Sequence, residues 1–318
     1  MNIRNLVCSA ASVAALTLGM AAQAAIELDS STFGGLSARN IGPAVMSGRI
    51  AALDGVVTDD GPITLYVGTA SGGVWKSDDG GIVYRPIFDK HHQSIGAVRV
   101  DPGNPQTVWV GTGESWVRNT VSPGDGVYRS TDGGENWQHV GLANSDHIAE
   151  LLVHPDDGDV VYVCAMGHLW APGGDRGVFR STDGGESWEN VLHIDDATSC
   201  SDLAMTPDGS TLYAGMWAVR RYPDFFESGG ETSGLYRSTD GGDSWQELTD
   251  GLPDSDKGRI AVTVAASEPQ RVYAIVESEN TALYRSDDGG DSWVEKDDSG
   301  NIQMRPFYFG ELNVDPSD

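Results

Sequence analysis

The chain has 318 residues, with 47 acidic side chains against 20 basic ones, and its formal net charge is −27. A surface of that sign repels a polyanion such as DNA, so nucleic-acid binding is not expected. Much of the acid is aspartate in turn-like segments, and none of it has the spacing of an EF-hand calcium loop. No metal site and no cofactor are therefore expected.

The amino terminus reads as an export signal. Arg4 precedes an apolar stretch from 6 to 22, and Ala22-Gln23-Ala24 has the small residues of a cleavage site. Residues 1–24 are thus predicted to be a signal peptide and the protein to be secreted or periplasmic. No later segment is apolar enough to predict a membrane span. Residues 25–47 are interpreted as an N-terminal closing segment, in which Phe33 to Asn40 is a candidate strand.

One sequence box then recurs along the chain. Its clearest copy is GVYRSTDGGENW at 126–137, and near-copies start at Gly177, Gly234 and Ala282, with a worn copy at Gly73. The serines that open the boxes are 48 to 57 residues apart. A period near fifty residues, with several short strands in each unit, is typical of a propeller or a solenoid.

Each box is predicted to be a strand, a tight turn and a second strand. Asp-Gly-Gly supplies the positive φ values that the turn needs, the Ser hydroxyl and Asp carboxylate bind backbone groups within it, and the Trp packs onto the hairpin. A structural role is therefore favoured over catalysis for these residues. The box residues are Ser77, Asp79, Ser130, Asp132, Trp137, Ser181, Asp183, Trp188, Ser238, Asp240, Trp245, Ser286, Asp288 and Trp293.

The fold class predicted from this pattern is all-β, a β-propeller of four-stranded blades. The predicted propeller occupies 48–318, with five blades and the start of a sixth. Their bounds are 48–90, 94–141, 147–195, 200–249, 258–297 and a partial blade at 302–318, where Phe307 to Val314 reads as a strand.

The repeated box resembles the Asp-box, or bacterial neuraminidase repeat, in the form found in sortilin-type receptor domains and glycoside hydrolase family 74 xyloglucanases. The resemblance implies a seven-bladed propeller, of which this chain would be the N-terminal part, with downstream blades or a second propeller missing. A natural six-bladed chain is the alternative. The resemblance also leaves function open, because such propellers include hydrolases, receptors and assembly factors.

Ligand-binding residues are expected on the loops between second and third strands, which open on the face opposite the boxes. Trp and Arg together on such loops suit sugars, or peptides with carboxylates. The alternative is that each Trp only covers the gap between blades. The candidates are Glu114, Trp116, Arg118, Asn119, His168, Trp170, Trp217, Arg220 and Arg221.

Recognition of a carbohydrate or peptide is the predicted function, and glycoside hydrolysis is the alternative. The resemblance places a catalytic Asp of the xyloglucanases at Ala70, in the stretch 69–76, and alanine has no proton to transfer. Glu114 is the carboxylate that remains as a catalytic candidate, with Asp125, Asp175, Asp224 and Glu231 as possible partners.

Two cysteines follow the predicted signal. Cys164 falls in a second strand and Cys200 at the start of the next blade's first strand. In an oxidising compartment they form a disulfide or remain as two buried thiols, and neighbouring sheets can bring them together.

Overall fold

The computed structural model describes residues 49–57 and 61–316. The predicted signal at 1–24 and the closing segment at 25–47 lie outside these residues. The described part folds into five antiparallel sheets, each of which follows the order of the chain. No helix in it is long and apolar enough to cross a membrane.

The first two sheets contain β1 to β8. The first has β1 (Ile50–Val56), β2 (Thr64–Thr69), β3 (Val74–Ser77) and β4 (Arg85–Pro86). The second has β5 (Ile95–Val100), β6 (Val108–Thr112), β7 (Val127–Ser130) and β8 (Gln138–Gly141).

The remaining three sheets contain β9 to β21. The third has β9 (His147–His154), β10 (Asp157–Gly167), β11 (Arg176–Ser181) and β12 (Glu189–Leu192). The fourth has β13 (Thr198–Met205), β14 (Leu212–Arg221), β16 (Gly234–Ser238) and β17 (Gln246–Leu248), with β15 (Phe226–Ser228) paired to β14. The fifth has β18 (Ile260–Val264), β19 (Val272–Val276), β20 (Ala282–Ser286) and β21 (Val294–Asp297).

The sheets are the blades of a propeller, since the first strands of successive sheets lie beside one another in the order β1, β5, β9, β13 and β18. Apolar cores fill the spaces between neighbouring sheets. Between the second and third sheets the core includes Trp109, Ile148 and Leu151. The stability of each blade therefore depends on the blade that follows it.

The Asp-box turns are held by the same bonds in every blade. In the second blade the Ser130 hydroxyl donates to Asp132 Oδ1 (2.8 Å), and the Gly134 N–H donates to Ser130 Oγ (2.9 Å). Gly133 and Gly134 have φ values of 70° and 93°, which favour glycine. Asn136 donates to Asp132 from both its side chain and its backbone and lowers the pKa of Asp132 to about 2.

Two box tryptophans tie their hairpins to the preceding blade. Trp137 Nε1 donates to the Ile87 carbonyl (2.9 Å), and Trp188 Nε1 donates to the Val140 carbonyl (2.8 Å). The worn first box has Tyr84 where the other boxes have tryptophan. The boxes thus join blades as well as close turns.

A disulfide joins Cys164 on β10 to Cys200 on β13, so it connects the third and fourth blades.

The predicted strand at Phe307 to Val314 is wrong. A short helix, α1 (Gly300–Gln303), precedes the segment, a second one, α2 (Pro306–Phe309), occupies its start, and no strand follows up to residue 316. Pro306 occupies the first turn of α2, where its missing N–H costs nothing, and this position favours a helical start over a strand. Phe307 and Tyr308 pack against Phe226 of the fourth blade.

Candidate functional site

A cavity of about 430 Å³ lies among the first strands of the blades. Segments of β1, β5, β9 and β13 form its walls, and Trp116 and Glu311 lie at its edge. We call it the axial cavity. It is lined by Ile50, Ala51, Ala52, Leu53, Gly96, Ala97, Val98, Arg99, Ser115, Trp116, Ala149, Glu150, Ser201, Asp202, Arg259, Gly310, Glu311, Leu312 and Asn313.

A β-bulge interrupts each of the four first strands that form these walls. The pairing of β1, β5, β9 and β13 with their neighbours skips one residue at Ala51, Gly96, Ala149 and Ser201. All four of these residues line the axial cavity. At Gly96 a Cβ atom would collide with the Ile148 carbonyl oxygen, so this close approach requires glycine. Bulges redirect side chains, and here they do so around one cavity.

Charged side chains line the wall. Arg99 forms an ion pair with Glu150 (Nη2 to Oε2, 3.1 Å) and donates from Nε to the Leu151 carbonyl (3.0 Å). Asp202 accepts the Leu203 N–H (2.9 Å) through one oxygen and the Val262 N–H (2.9 Å) through the other. These bonds hold both acidic groups in fixed positions.

Burial changes the protonation of these groups. The pKa of Asp202 is raised to about 7, first by burial and next by the nearby charge of Glu150. Burial likewise raises the pKa of Glu150, although Arg99 opposes this effect. The cavity therefore has carboxyl groups in its wall, and their charge depends on pH.

The edge of the axial cavity is built by the loop after β6. Trp116 Nε1 donates to Glu311, and the guanidinium of Arg49 lies 5.6 Å from the centre of the Trp116 ring. Arg49 also forms an ion pair with Glu114 through two of its nitrogens. Glu114 is only 1% exposed, and its burial raises its pKa although Arg49 opposes the shift. Glu114 thus positions Arg49 and has no surface to offer a substrate.

Trp217 is not available to a ligand, which corrects its prediction as a binding residue. Because β14 continues to Arg221, Trp217 lies within a strand and is 0% exposed. It packs with Val117, Met166 and Leu169, and its Nε1 donates to Ser228 (3.0 Å).

The other predicted residues differ in exposure and in their contacts. Trp170 is 46% exposed and Asn119 is exposed, while Arg118 is half-buried. His168 Nδ1 lies 3.0 Å from Asp146, and Arg221 donates to the Tyr308 hydroxyl (3.0 Å). Of the nine candidates, Trp116 lines the axial cavity and Arg220 lines a different pocket.

The charged wall of the axial cavity was not predicted from the sequence. Arg99, Glu150 and Asp202 are each the one Arg, Lys, Asp or Glu residue in the first strand of their blade. That pattern repeats in three consecutive blades and could have indicated a polar axis. The carboxylates proposed as partners of Glu114 do not line this cavity.

The opposite face holds a groove of about 620 Å³ between the boxes of the second and third blades. Its walls include Asp132, Asn136 and Trp137, which are engaged in the hairpin bonds described above. Among the residues that the structure describes, no group of three or more His, Cys, Asp or Glu side chains could hold a metal ion.

The geometry and the repeat define an Asp-box β-propeller. The model of the BNR/Asp-box repeat matches residues 128–139, the second box. The fold is also that of a GH74 xyloglucanase from Xanthomonas campestris, whose crystal structure superposes with a TM-score of 0.60 at 21% identity. The match covers 85% of this chain and 42% of that one.

Curated relatives share part of the sequence. A probable oligoxyloglucan-reducing end-specific xyloglucanase of Neosartorya fischeri is 28% identical over 206 residues, 65% of this chain. Xyloglucanase Xgh74A of Acetivibrio thermocellus is 27% identical over 214 residues, 58% of this chain. The matches span only 21% and 23% of the lengths of these two relatives. The chain is thus similar to about a fifth of the length of each of these two xyloglucanases.

Proposed function

We propose that this propeller binds carbohydrate chains at the axial cavity, outside the cytoplasm after removal of a signal peptide. The observation that carries the proposal is the meeting of the Trp116 ring with a fixed array of charged groups at one cavity. A sugar presents apolar C–H faces that pack on aromatic rings and hydroxyl groups that exchange hydrogen bonds with carboxylates and guanidinium groups.

The similarity to enzymes named as xyloglucanases supports a glycan as the ligand. The catalytic Asp that the resemblance implies is absent from this chain, because Ala70 occupies its position. Ala70 is 4% exposed and donates its N–H to the Arg49 carbonyl (2.9 Å). The main proposal is therefore binding without cleavage by that route.

Hydrolysis is the second candidate, and the carboxyl groups of Glu150 and Asp202 favour it. A glycosidase needs one carboxyl group that is protonated near neutral pH and a second that is ionised. Asp202, with a pKa raised to about 7, meets the first condition, and Glu150 lines the same cavity. Both oxygens of Asp202 are already bound to backbone N–H groups, which makes it a poor proton donor.

Titration calorimetry with a xyloglucan oligosaccharide tests the proposal. We expect saturable binding by the wild-type protein and about fivefold weaker binding by Trp116→Ala, because one aromatic contact of this kind is worth about 1 kcal/mol. Trp75→Ala is the matched control, since Trp75 is also half-buried and does not line the cavity.

The same samples are assayed for new reducing ends over a day. Binding without new reducing ends is the expected result. Release of reducing ends that Asp202→Asn abolishes would establish the hydrolase instead. If none of a panel of neutral glycans binds and peptides bind instead, the carbohydrate proposal is overturned.

A further inference from the structure

We propose that a second pocket, on the fourth blade, binds a sugar residue that carries a single carboxylate, as a uronic acid does. This inference rests on the proposed carbohydrate function and narrows its ligand class. It depends on a hairpin, an arginine without an ion pair and a small cavity.

The hairpin is an addition to the blade plan. β14 runs beyond its sheet and pairs with β15, so that Arg220 lies opposite Glu227 and Val219 opposite Ser228. The Tyr222 N–H donates to the Phe225 carbonyl (3.0 Å) and closes the turn. Among the strands that the structure describes, the other four sheets carry no fifth strand. An insertion that is not needed for the blade is a place where function is commonly added.

The pocket at this hairpin has a volume of about 250 Å³. Loops of the third blade form one side of it, and the hairpin forms the other. It is smaller than the roughly 300–1,000 Å³ of pockets that enclose drug-sized ligands, so it suits one sugar residue. It is lined by Ala171, Pro172, Ala197, Ala218, Val219, Arg220, Tyr222, Glu227, Gly229 and Gly230.

Arg220 is held in place without a carboxylate partner. Its guanidinium lies 4.5 Å from the centre of the Tyr222 ring, which stacks in turn on Phe225 with 4.1 Å between centroids. Its Nε atom is buried and has no hydrogen-bond partner among the described residues. Arg180 and Arg237, by contrast, each form an ion pair with an aspartate.

An arginine that is fixed on an aromatic ring and still has free donors is suited to bind a carboxylate. In the described part no acidic side chain forms an ion pair with Arg220, which leaves its terminal nitrogens available to an external anion.

The remaining groups of the pocket select a sugar acid. Glu227 accepts the Tyr222 hydroxyl (3.3 Å) and, because it is exposed, keeps acceptor positions that a ligand hydroxyl can fill. Pro172 and Val219 give an apolar wall for the C–H face of a ring. A uronic acid supplies the carboxylate, the hydroxyl groups and the apolar face together.

The overall charge of −27 limits the density of acid on the ligand. A polymer with an acid on every residue would bring many negative charges close to the acidic surface and would be repelled by it. A ligand with a single carboxylate is affected only by nearby groups, because the field of distant groups is screened within about 8 Å at physiological ionic strength. The ligand class is therefore a largely neutral polysaccharide with occasional uronic acid branches.

The test compares xylotriose bearing one glucuronic acid with the same compound after reduction of its carboxyl group to an alcohol. Calorimetry at neutral pH should show about tenfold tighter binding of the acid by the wild-type protein. Arg220→Gln should remove this preference, and Arg220→Lys should restore part of it. Arg285→Gln, a change on a strand of the fifth blade, is the control and should keep it.

The neutral xyloglucan oligosaccharide serves as a third ligand and separates the two proposals. If it binds and the acid and its reduced form bind equally, the uronic acid site is refuted and the carbohydrate function stands. If no glycan binds at all, both are refuted. Tighter binding of a short peptide through its free carboxylate than of the sugar acid would also overturn this inference. Thermal melts of each variant establish that it is folded.

Discussion

Single residues show that the same side-chain type has different roles on the two faces of the propeller. The aspartates of the boxes accept bonds within their own turns, as when Asp183 accepts the N–H and the hydroxyl of Ser187. Asp202, beside the axis, accepts an N–H of its own blade and one of the next. Tryptophans also have different roles, since Trp217 is fully buried in a core whereas Trp116 lines a cavity.

Asp183→Ala should lower the melting temperature by a few degrees, because the turn loses the acceptor of three hydrogen bonds. Glu186→Ala changes an exposed acid in the same turn and should have no such effect. Differential scanning fluorimetry of both proteins makes the comparison. Equal melting temperatures for the two variants would contradict a structural role for the box carboxylate.

The pair Trp217→Ala and Trp116→Ala separates packing from binding. We expect Trp217→Ala to reduce the free energy of unfolding by about 3–5 kcal/mol, since it empties a fully buried site. Trp116→Ala should leave that free energy within about 1 kcal/mol of the wild-type value and act on glycan affinity. Urea denaturation provides the measurement, and the reverse order of stabilities would refute the assignment.

Among the elements, the strands that flank each box were predictable, because a tight turn is specified by a few consecutive residues. Ser238, Asp240 and the glycines after them determine where β16 ends, and such signals are visible in sequence. The length of β14 was not visible. The strand extends to Arg221 because it pairs with β15. This extension also encloses Trp217, whereas a loop at the same position would leave that side chain exposed.

The charged residues of the axial wall are visible in the sequence, but their contacts are not. A single Arg99 or Glu150 in an apolar strand says nothing about which side chains it meets across the axis, because that depends on the bulges and on three neighbouring blades. The strand predicted at 307–314 was wrong for a local reason, the helical start at Pro306.

The disulfide between β10 and β13 is predicted to stabilise the contact of the third and fourth blades. Replacement of Cys164 and Cys200 by alanine should cost about 2–4 kcal/mol, since the bond spans 36 residues of chain. A reducing agent should destabilise the wild-type protein by a similar amount and leave the double variant unchanged. An equal response of both proteins to the reducing agent would show that the bond contributes nothing.

For the whole molecule, the axial carboxylates link stability to pH. Because the pKa of Asp202 is raised from 3.8 to about 7, the folded state binds a proton more tightly than the unfolded one. The contribution of Asp202 to stability is therefore greatest below about pH 4 and is lost as the pH rises towards about 7. Glu150 and Arg259 are the charged neighbours that influence it.

Asp202→Asn should accordingly lose stability less steeply than the wild-type protein between these pH values. Urea denaturation of both proteins at several pH values gives the difference in unfolding free energy, which should grow in favour of the variant as the pH rises. Asp224→Asn, at an exposed position, should follow the wild-type curve. Parallel curves for Asp202→Asn and the wild type would contradict a raised pKa for Asp202.

We infer that one face of the propeller binds ligands and that the other carries the hairpins. Hydrogen–deuterium exchange with and without a saturating xyloglucan oligosaccharide tests it most directly. We predict slower exchange in β5, β9 and the loop at 113–118, with no change in the turns at 130–137 and 181–188. Slower exchange in those box turns, with none around the axial cavity, would contradict the account.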